Sequence, residues 1–233
     1  AELDAMAAYR KADFAGAEKG WRTAIAREPT NWIARHNLAL ALAQQERAPE
    51  AAAQAVAAFV QQPTDASVRW HFALAAEKAG ALPPTLARFI TPDPWHSLGR
   101  LASPGNWQLV LITAAWGVAL ALGWLLHNAY HRRSRLVAGA SLGLALVFLV
   151  VGGSAIAGSQ SYGLAAQADA VIVARPTTLR SIPTEADTAQ KTSPLAAGTL
   201  ALGDRTFLGW TRLSFENGQT GWVRKDEIVA LWK

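Results

Sequence analysis

The chain has 233 residues and a mass of 24.8 kDa, enough for one or two domains. Hydrophobic residues make up 51% and charged residues 17%, below the roughly 25% charge of an average soluble domain. There is no cysteine, which excludes disulfides, thiolate metal sites and a cysteine nucleophile together. The net charge of +5 is concentrated: residues 1–90 and 169–233 carry +1 each, and Arg132, Arg133 and Arg135 supply the other +3. That count gives neither end of the chain a basic face, so nucleic acid is not an expected partner.

The first ninety residues match themselves at a shift of 34. Pro29 aligns with Pro63, Asn31 with Asp65, Ala17 with Ala51 and Ala24 with Ala58. In a third copy His36 aligns with Trp70, Leu38 with Phe72, Ala39 with Ala73 and Leu40 with Leu74. This period, closed by proline, resembles tetratricopeptide repeats: full units at 1–31 and 32–65, and a third from Ala66. Pro83 and Pro84 make the second helix of the third unit irregular. Small alanines suit helix contacts within a unit, and Phe14, Trp21, Phe59 and Phe72 suit the gaps between units.

In that family the first helix of each unit lines a concave groove. By position it would hold Met6, Tyr9 and Arg10, then Ile33, His36, Leu40 and Gln44, then Trp70, Leu74 and Lys78. An exposed row of Tyr9, His36 and Trp70 suits a peptide or helix of a partner. Packing of Trp70 against the irregular third unit or the linker stands as the alternative. No second ligand or nucleophile is spaced to join His36.

Residues 91–106 read as an irregular linker, with Trp95, Leu98 and Leu101 suited to a membrane surface. Residues 107–126 and 136–157 are uncharged runs long enough to cross a bilayer. The loop 127–135 is too short for anything but a helical hairpin. Its three arginines predict a cytoplasmic bend, so both ends of the chain are expected in the periplasm of a two-membrane bacterium. That export expects a signal peptide removed ahead of Ala1. Trp107 and Trp124 suit interfacial anchoring, and Gly139, Gly143, Gly152 and Gly153 close helix approach.

Residues 158–169 read as a short tether. From 170 to 233 the runs AVIVA, TLRSI, TLAL, WTRLSF and GWVR predict five or six short strands in a small barrel. Asn217-Gly218 predicts a hairpin with positive φ at both turn residues. Trp210, Leu213, Asn217, Gly218, Gly221, Trp222 and Val223, with Leu195, Gly198 and Thr199, resemble bacterial SH3-type (SH3b) domains. Residues 183–194 would be the long variable loop of such a domain. Trp222 is expected in the core or half-buried; for Trp210 both core and ligand groove stay open.

The expected fold is therefore a multi-domain membrane protein: an all-α repeat array, a two-helix transmembrane hairpin and a small all-β SH3-like barrel. This order of parts resembles BatE-type proteins of the Bat (aerotolerance operon) family. The resemblance implies a scaffold subunit that works with Bat proteins carrying von Willebrand factor A domains and with a MoxR-type AAA+ ATPase. The alternative is an envelope sensor whose SH3-type domain binds peptidoglycan. Catalysis, metal and cofactor are not expected: no Ser-His-Asp set, phosphate loop or ligand spacing occurs, and Glu185 and Asp187 lie in a polar loop.

Overall fold

A computed structural model describes residues 2–131, 134–186 and 190–232. They form two compact units, one made of residues 1–91 with 162–233 and the other of residues 92–161. Arg132, Arg133 and Asp187 lie outside the described residues.

In the first unit, five helices run α1 (Glu2–Arg10), α2 (Phe14–Arg27), α3 (Trp32–Gln44), α4 (Ala48–Gln61) and α5 (Ala66–Ala79), followed by a single turn, α6 (Pro84–Ala87). Sequential neighbours from α1 to α5 pack against each other. The spacing of 34 reappears in the backbone. The residues that turn the chain out of α1, α3 and α5 are Ala12, Glu46 and Gly80, all left-handed, at φ 60°, 62° and 61°. The side chains repeat as well. Arg35 Nε donates to the Pro29 carbonyl at 2.8 Å, and Arg69 donates to the Pro63 carbonyl at 3.1 Å. Asn31 and Asp65 each cap the helix that follows, accepting from the main-chain N–H three residues on.

The composition of α4 explains its place. Ala51 to Ala53 and Ala55 to Gln61 are all buried, so no polar face is left for water. It packs between α3 and α5, and its end meets the last strand of the sheet. The Phe59 ring stacks on Phe72 at 4.5 Å and lies near Phe89 at 5.2 Å.

The sheet has seven antiparallel strands: β1 (Ala170–Val173), β2 (Thr177–Arg180), β3 (Thr192–Leu195), β4 (Leu200–Phe207), β5 (Trp210–Ser214), β6 (Thr220–Arg224) and β7 (Ile228–Ala230). Their order is β3-β2-β6-β5-β4-β1-β7, with β3 and β7 at the edges. Val171, Val173, Leu179, Ala201, Leu213 and Val223 form its core. Three expectations change here. Seven strands form where five or six were expected, because the short runs Thr192–Leu195 and Ile228–Ala230 pair as the two edge strands. The stretch 183–194 is not all loop, because β3 starts in it; Pro194 is tolerated there on an edge strand. The Asn217-Gly218 turn has positive φ at Gly218 alone, 79°. Gly218 N–H bonds the Phe215 carbonyl and Phe215 N–H the Gln219 carbonyl, a three-residue loop closed by a glycine bulge.

Residues 162–166 are a packed element rather than a tether, and 167–169 are exposed. Tyr162 and Ala165 are fully buried, and Tyr162 lies 4.7 Å from Phe89 and 6.4 Å from Phe59, ring to ring. Trp232 Nε1 donates to the Ala165 carbonyl at 2.9 Å. With Pro83 and Pro84 cutting short the second helix of the third copy, this segment and the sheet cover the end of the helical array. At Gly198, φ 79°, a Cβ would stand 2.8 Å from the Ala81 carbonyl oxygen, so only glycine permits that approach.

In the second unit, α7 (Pro94–Gly99) precedes α8 (Pro104–Tyr130) and α9 (Arg135–Gln160), the last two antiparallel neighbours long and apolar enough to cross a membrane. The linker therefore holds a helix, started by Asp93, whose carboxylate accepts from His96 N–H at 2.8 Å. The helix contact does not run through Gly139, Gly143 or Gly153, which face open space. It runs through Gly117, where a Cβ would stand 2.5 Å from the Phe148 ring, and Gly158, where it would stand 2.4 Å from the Trp107 indole; Gly152 faces Ala114. Trp107 is buried, with its Nε1 donating to the Gly99 carbonyl, while Trp124 is exposed. Asn128 closes the bend: its side chain accepts from Ser134 N–H at 3.1 Å and donates to the Ser134 carbonyl at 3.0 Å.

Candidate functional site: a helical row and an arginine-tryptophan sheet face

The helical row divides into exposed and packed members. Trp70 is 61% exposed, and Ile33, Gln44, Lys78 and Arg10 are exposed too. His36, Leu40 and Leu74 are half-buried between them. Tyr9 is not free: its ring packs on Trp21 at 5.6 Å and Phe14 at 5.3 Å, and with Met6 it seals the core of the first unit. Trp70 and Leu74 line a cleft of about 600 Å³ with Leu82 and Ile90, so the ring stands at a hollow rather than inside one.

One member of the row escaped the sequence reading. His71 places its ring 4.7 Å from His36 and 4.7 Å from Trp70. The shift of 34 aligns His36 with Trp70, so its true neighbour stands one residue further on. His71 Nδ1 meets the Ser67 carbonyl at 2.9 Å, which makes that nitrogen the donor. Burial, then the charge of His71, hold the His36 imidazole below its ordinary value, with Asp65 opposing. No group of three or more metal-ligating side chains occurs among the described residues.

Ion pairs tie the first two 34-residue copies together. Arg47 bonds both Glu18 and Glu50, and Arg22 meets Glu18 at 2.7 Å. Burial alone would raise the Glu18 carboxyl; hydrogen bonds from Gln45 and Arg47, with the Arg22 charge, bring it below the usual range. Arg35 is buried with its nearest bond to a carbonyl, and burial lowers its guanidinium to about 10.

On the sheet, residues directly opposite across a ladder share a face. The pairs Phe207↔Trp210, Arg205↔Arg212, Trp210↔Arg224, Arg212↔Trp222 and Arg180↔Trp222 thus lie on one face, opposite the core. Strand alternation puts four arginines and three aromatics together. Trp210 is buried although it is on this outer face, because the guanidinium carbons of Arg180 and Arg224 stand 5.9 and 5.7 Å from its ring centroid. Trp222 is half-buried. Gly221 must lack a side chain, since a Cβ would stand 2.5 Å from Leu179. Asn217 and Gly218 form the exposed far hairpin, where Asn217 Oδ1 accepts from Gln219 N–H. Arg135 opens α9 and is exposed.

A segment charge of +1 thus conceals a basic, aromatic face. No family model, no curated protein and no solved structure matches the chain.

Proposed function

We propose that the chain is a non-enzymatic membrane scaffold that binds partner proteins through its helical row, in the manner of the Bat family. The observation that carries this reading is the row itself: Ile33, Gln44, Trp70 and Lys78 exposed along successive first helices of a 34-residue period. The recurring left-handed turns and Arg-to-Pro bonds support reading the array as tetratricopeptide repeats. The glycine-bulge hairpin, Gly221 and the two tryptophans support the SH3-type reading of the sheet. Array and sheet pack as one body, so a partner meets a preassembled surface held at the membrane by α8 and α9. In this reading the bend with Arg132, Arg133 and Arg135 is cytoplasmic and both soluble parts are periplasmic. The partners are membrane proteins with von Willebrand factor A domains, and a MoxR-type ATPase acts with the complex.

Gentle detergent extraction tests this. Wild-type chain is expected to bring down von Willebrand factor A proteins, and Trp70→Ala to recover much less. Recovery of wild-type chain alone would overturn the scaffold. A cleft of about 670 Å³, lined by residues 80–85, 196–200 and 215–217, favours a second reading in which the sheet binds peptidoglycan. Retention of the chain on purified sacculi, lost when Phe215 is changed to Ala, would select that reading.

A further inference from the structure

We propose that the β4–β5 hairpin touches the bilayer: Phe207 and Leu208 enter the headgroup region of an anionic membrane while Arg205 and Arg212 hold lipid phosphates. Three independent observations carry it.

The first is the apex. Leu208 and Gly209 form a two-residue hairpin loop with φ 43° and 82°, a geometry that favours Asn-Gly. A leucine there is strained, and it is 84% exposed, so it buries nothing within its unit. Phe207 beside it is 53% exposed. Two large apolar side chains at a hairpin tip, one of them in a disfavoured conformation, suit an apolar environment outside the fold.

The second is the charge. Arg205 faces Arg212 directly across the ladder, a like-charge pair that repels unless an anion joins it. Arg205 has no ion pair among the described residues, and the carboxylate nearest Arg212, that of Asp204, is 3.9 Å away. Lys225 follows at the tip, its N–H donating to the Gly209 carbonyl at 2.8 Å. Arg224 is shared with Glu185 at 2.9 Å and Asp226 at 3.5 Å, so the unneutralised charge gathers toward the apex.

The third is tethering. Only residues 161–169 separate the end of α9 from β1, a stretch of at most about 35 Å even when extended. The sheet cannot leave the vicinity of the bilayer that α9 crosses. An arginine-aromatic face would also suit single-stranded nucleic acid, but a bound strand stacks successive bases on successive open rings, and of the three aromatics on this face only Phe207 is exposed. Trp210 is covered by two guanidinium groups, and what stands free at the apex is a phenylalanine and a leucine. These match hydrocarbon and not a phosphodiester chain.

The absence of native cysteine permits a clean test. Leu208→Cys in the full chain is labelled with an environment-sensitive fluorophore and reconstituted into nanodiscs of phosphatidylcholine, with and without phosphatidylglycerol, containing doxyl-labelled lipid. Glu216→Cys, at the opposite end of β5, is the control. The label at 208 is expected to shift blue and be quenched in anionic discs, while the label at 216 is not. Adding Arg205→Gln should lower the inserted-to-free ratio about fivefold. An unquenched label at 208, equal quenching at 216, or quenching indifferent to anionic lipid overturns the proposal. So does a shift produced by an oligonucleotide and not by lipid.

Discussion

Gln61 on α4 donates from Nε2 to the main-chain carbonyl of Leu231, 2.6 Å away and 170 residues later in the chain. The same nitrogen meets the Pro29 carbonyl at 3.2 Å, which Arg35 also uses. One amide thus joins the turn between the first two repeats, the end of α4 and the end of the sheet. Gln61→Leu keeps the volume but leaves a buried carbonyl without its donor, at about 1–3 kcal/mol. Gly198→Ala attacks the same junction by a second route, since its Cβ would strike the Ala81 carbonyl from a left-handed backbone. Both variants are expected to speed hydrogen exchange in residues 162–165 while leaving α1 to α3 protected. Unchanged exchange in both would mean the junction does not depend on these contacts.

Ala12 and Glu46 occupy the left-handed position that Gly80 fills in the third unit. A non-glycine residue there costs roughly 1–2 kcal/mol, partly offset because glycine loses more freedom on folding. Ala12→Gly and Glu46→Gly are each expected to stabilise the array by a few tenths to about 1 kcal/mol. Thermal unfolding in detergent checks this, and a lowered midpoint for both would contradict the argument.

How much of this was legible in the sequence depends on the range of the contact. The period of 34, the membrane-length helices and most strands are written in local pattern, and they appear as helices and strands where that pattern lies. The junction is not local. It rests on one glutamine, one glycine and a tyrosine set among small residues, none of which differs in sequence from tether or surface residues. Net charge misled for a related reason: it counts Arg180, Arg205, Arg212 and Arg224 without noting that strand period 2 sends all four to one side. Glycine in α9 was ambiguous because any helix so rich in it offers several small faces, and only the partner helix chooses among them.

That choice is testable. Gly117→Leu would drive a side chain into Phe148, whereas at Gly139 an added Cβ meets nothing within 4 Å. Overpacking at Gly117 is expected to cost about 1–3 kcal/mol and to widen the α8–α9 separation, measured between paired spin labels. Gly139→Leu should leave that separation unchanged. Widening by Gly139→Leu instead would place the contact on the other face.

Tyr9 and Trp70 were expected in one row, but their surroundings predict opposite phenotypes. Tyr9→Ala removes a ring packed on Trp21 and Phe14, and should destabilise by about 2–4 kcal/mol. Trp70→Ala removes an exposed ring, and should change stability by about 0.5 kcal/mol or less while reducing partner recovery. Equal loss of stability in both would make Trp70 a packing residue.

His36 gives the array a pH dependence with a defined sign. Burial, and then His71, keep its folded imidazole below the ordinary value of 6.5, with Asp65 acting against them. Between that value and the lower folded one, the unfolded chain binds more protons than the folded chain, so stability rises with pH. The contribution is complete above the unfolded value, is lost as pH falls through the window, and changes no further below the folded value. His36→Gln cannot take up the proton, so its stability should vary less than wild type across about pH 8 to 5. Unfolding midpoints of the two chains in detergent, compared at each pH, check this: the curves should lie parallel at the upper end and diverge on acidification. Curves that stay parallel throughout would mean that the contact with His71 leaves the protonation of His36 unchanged on folding.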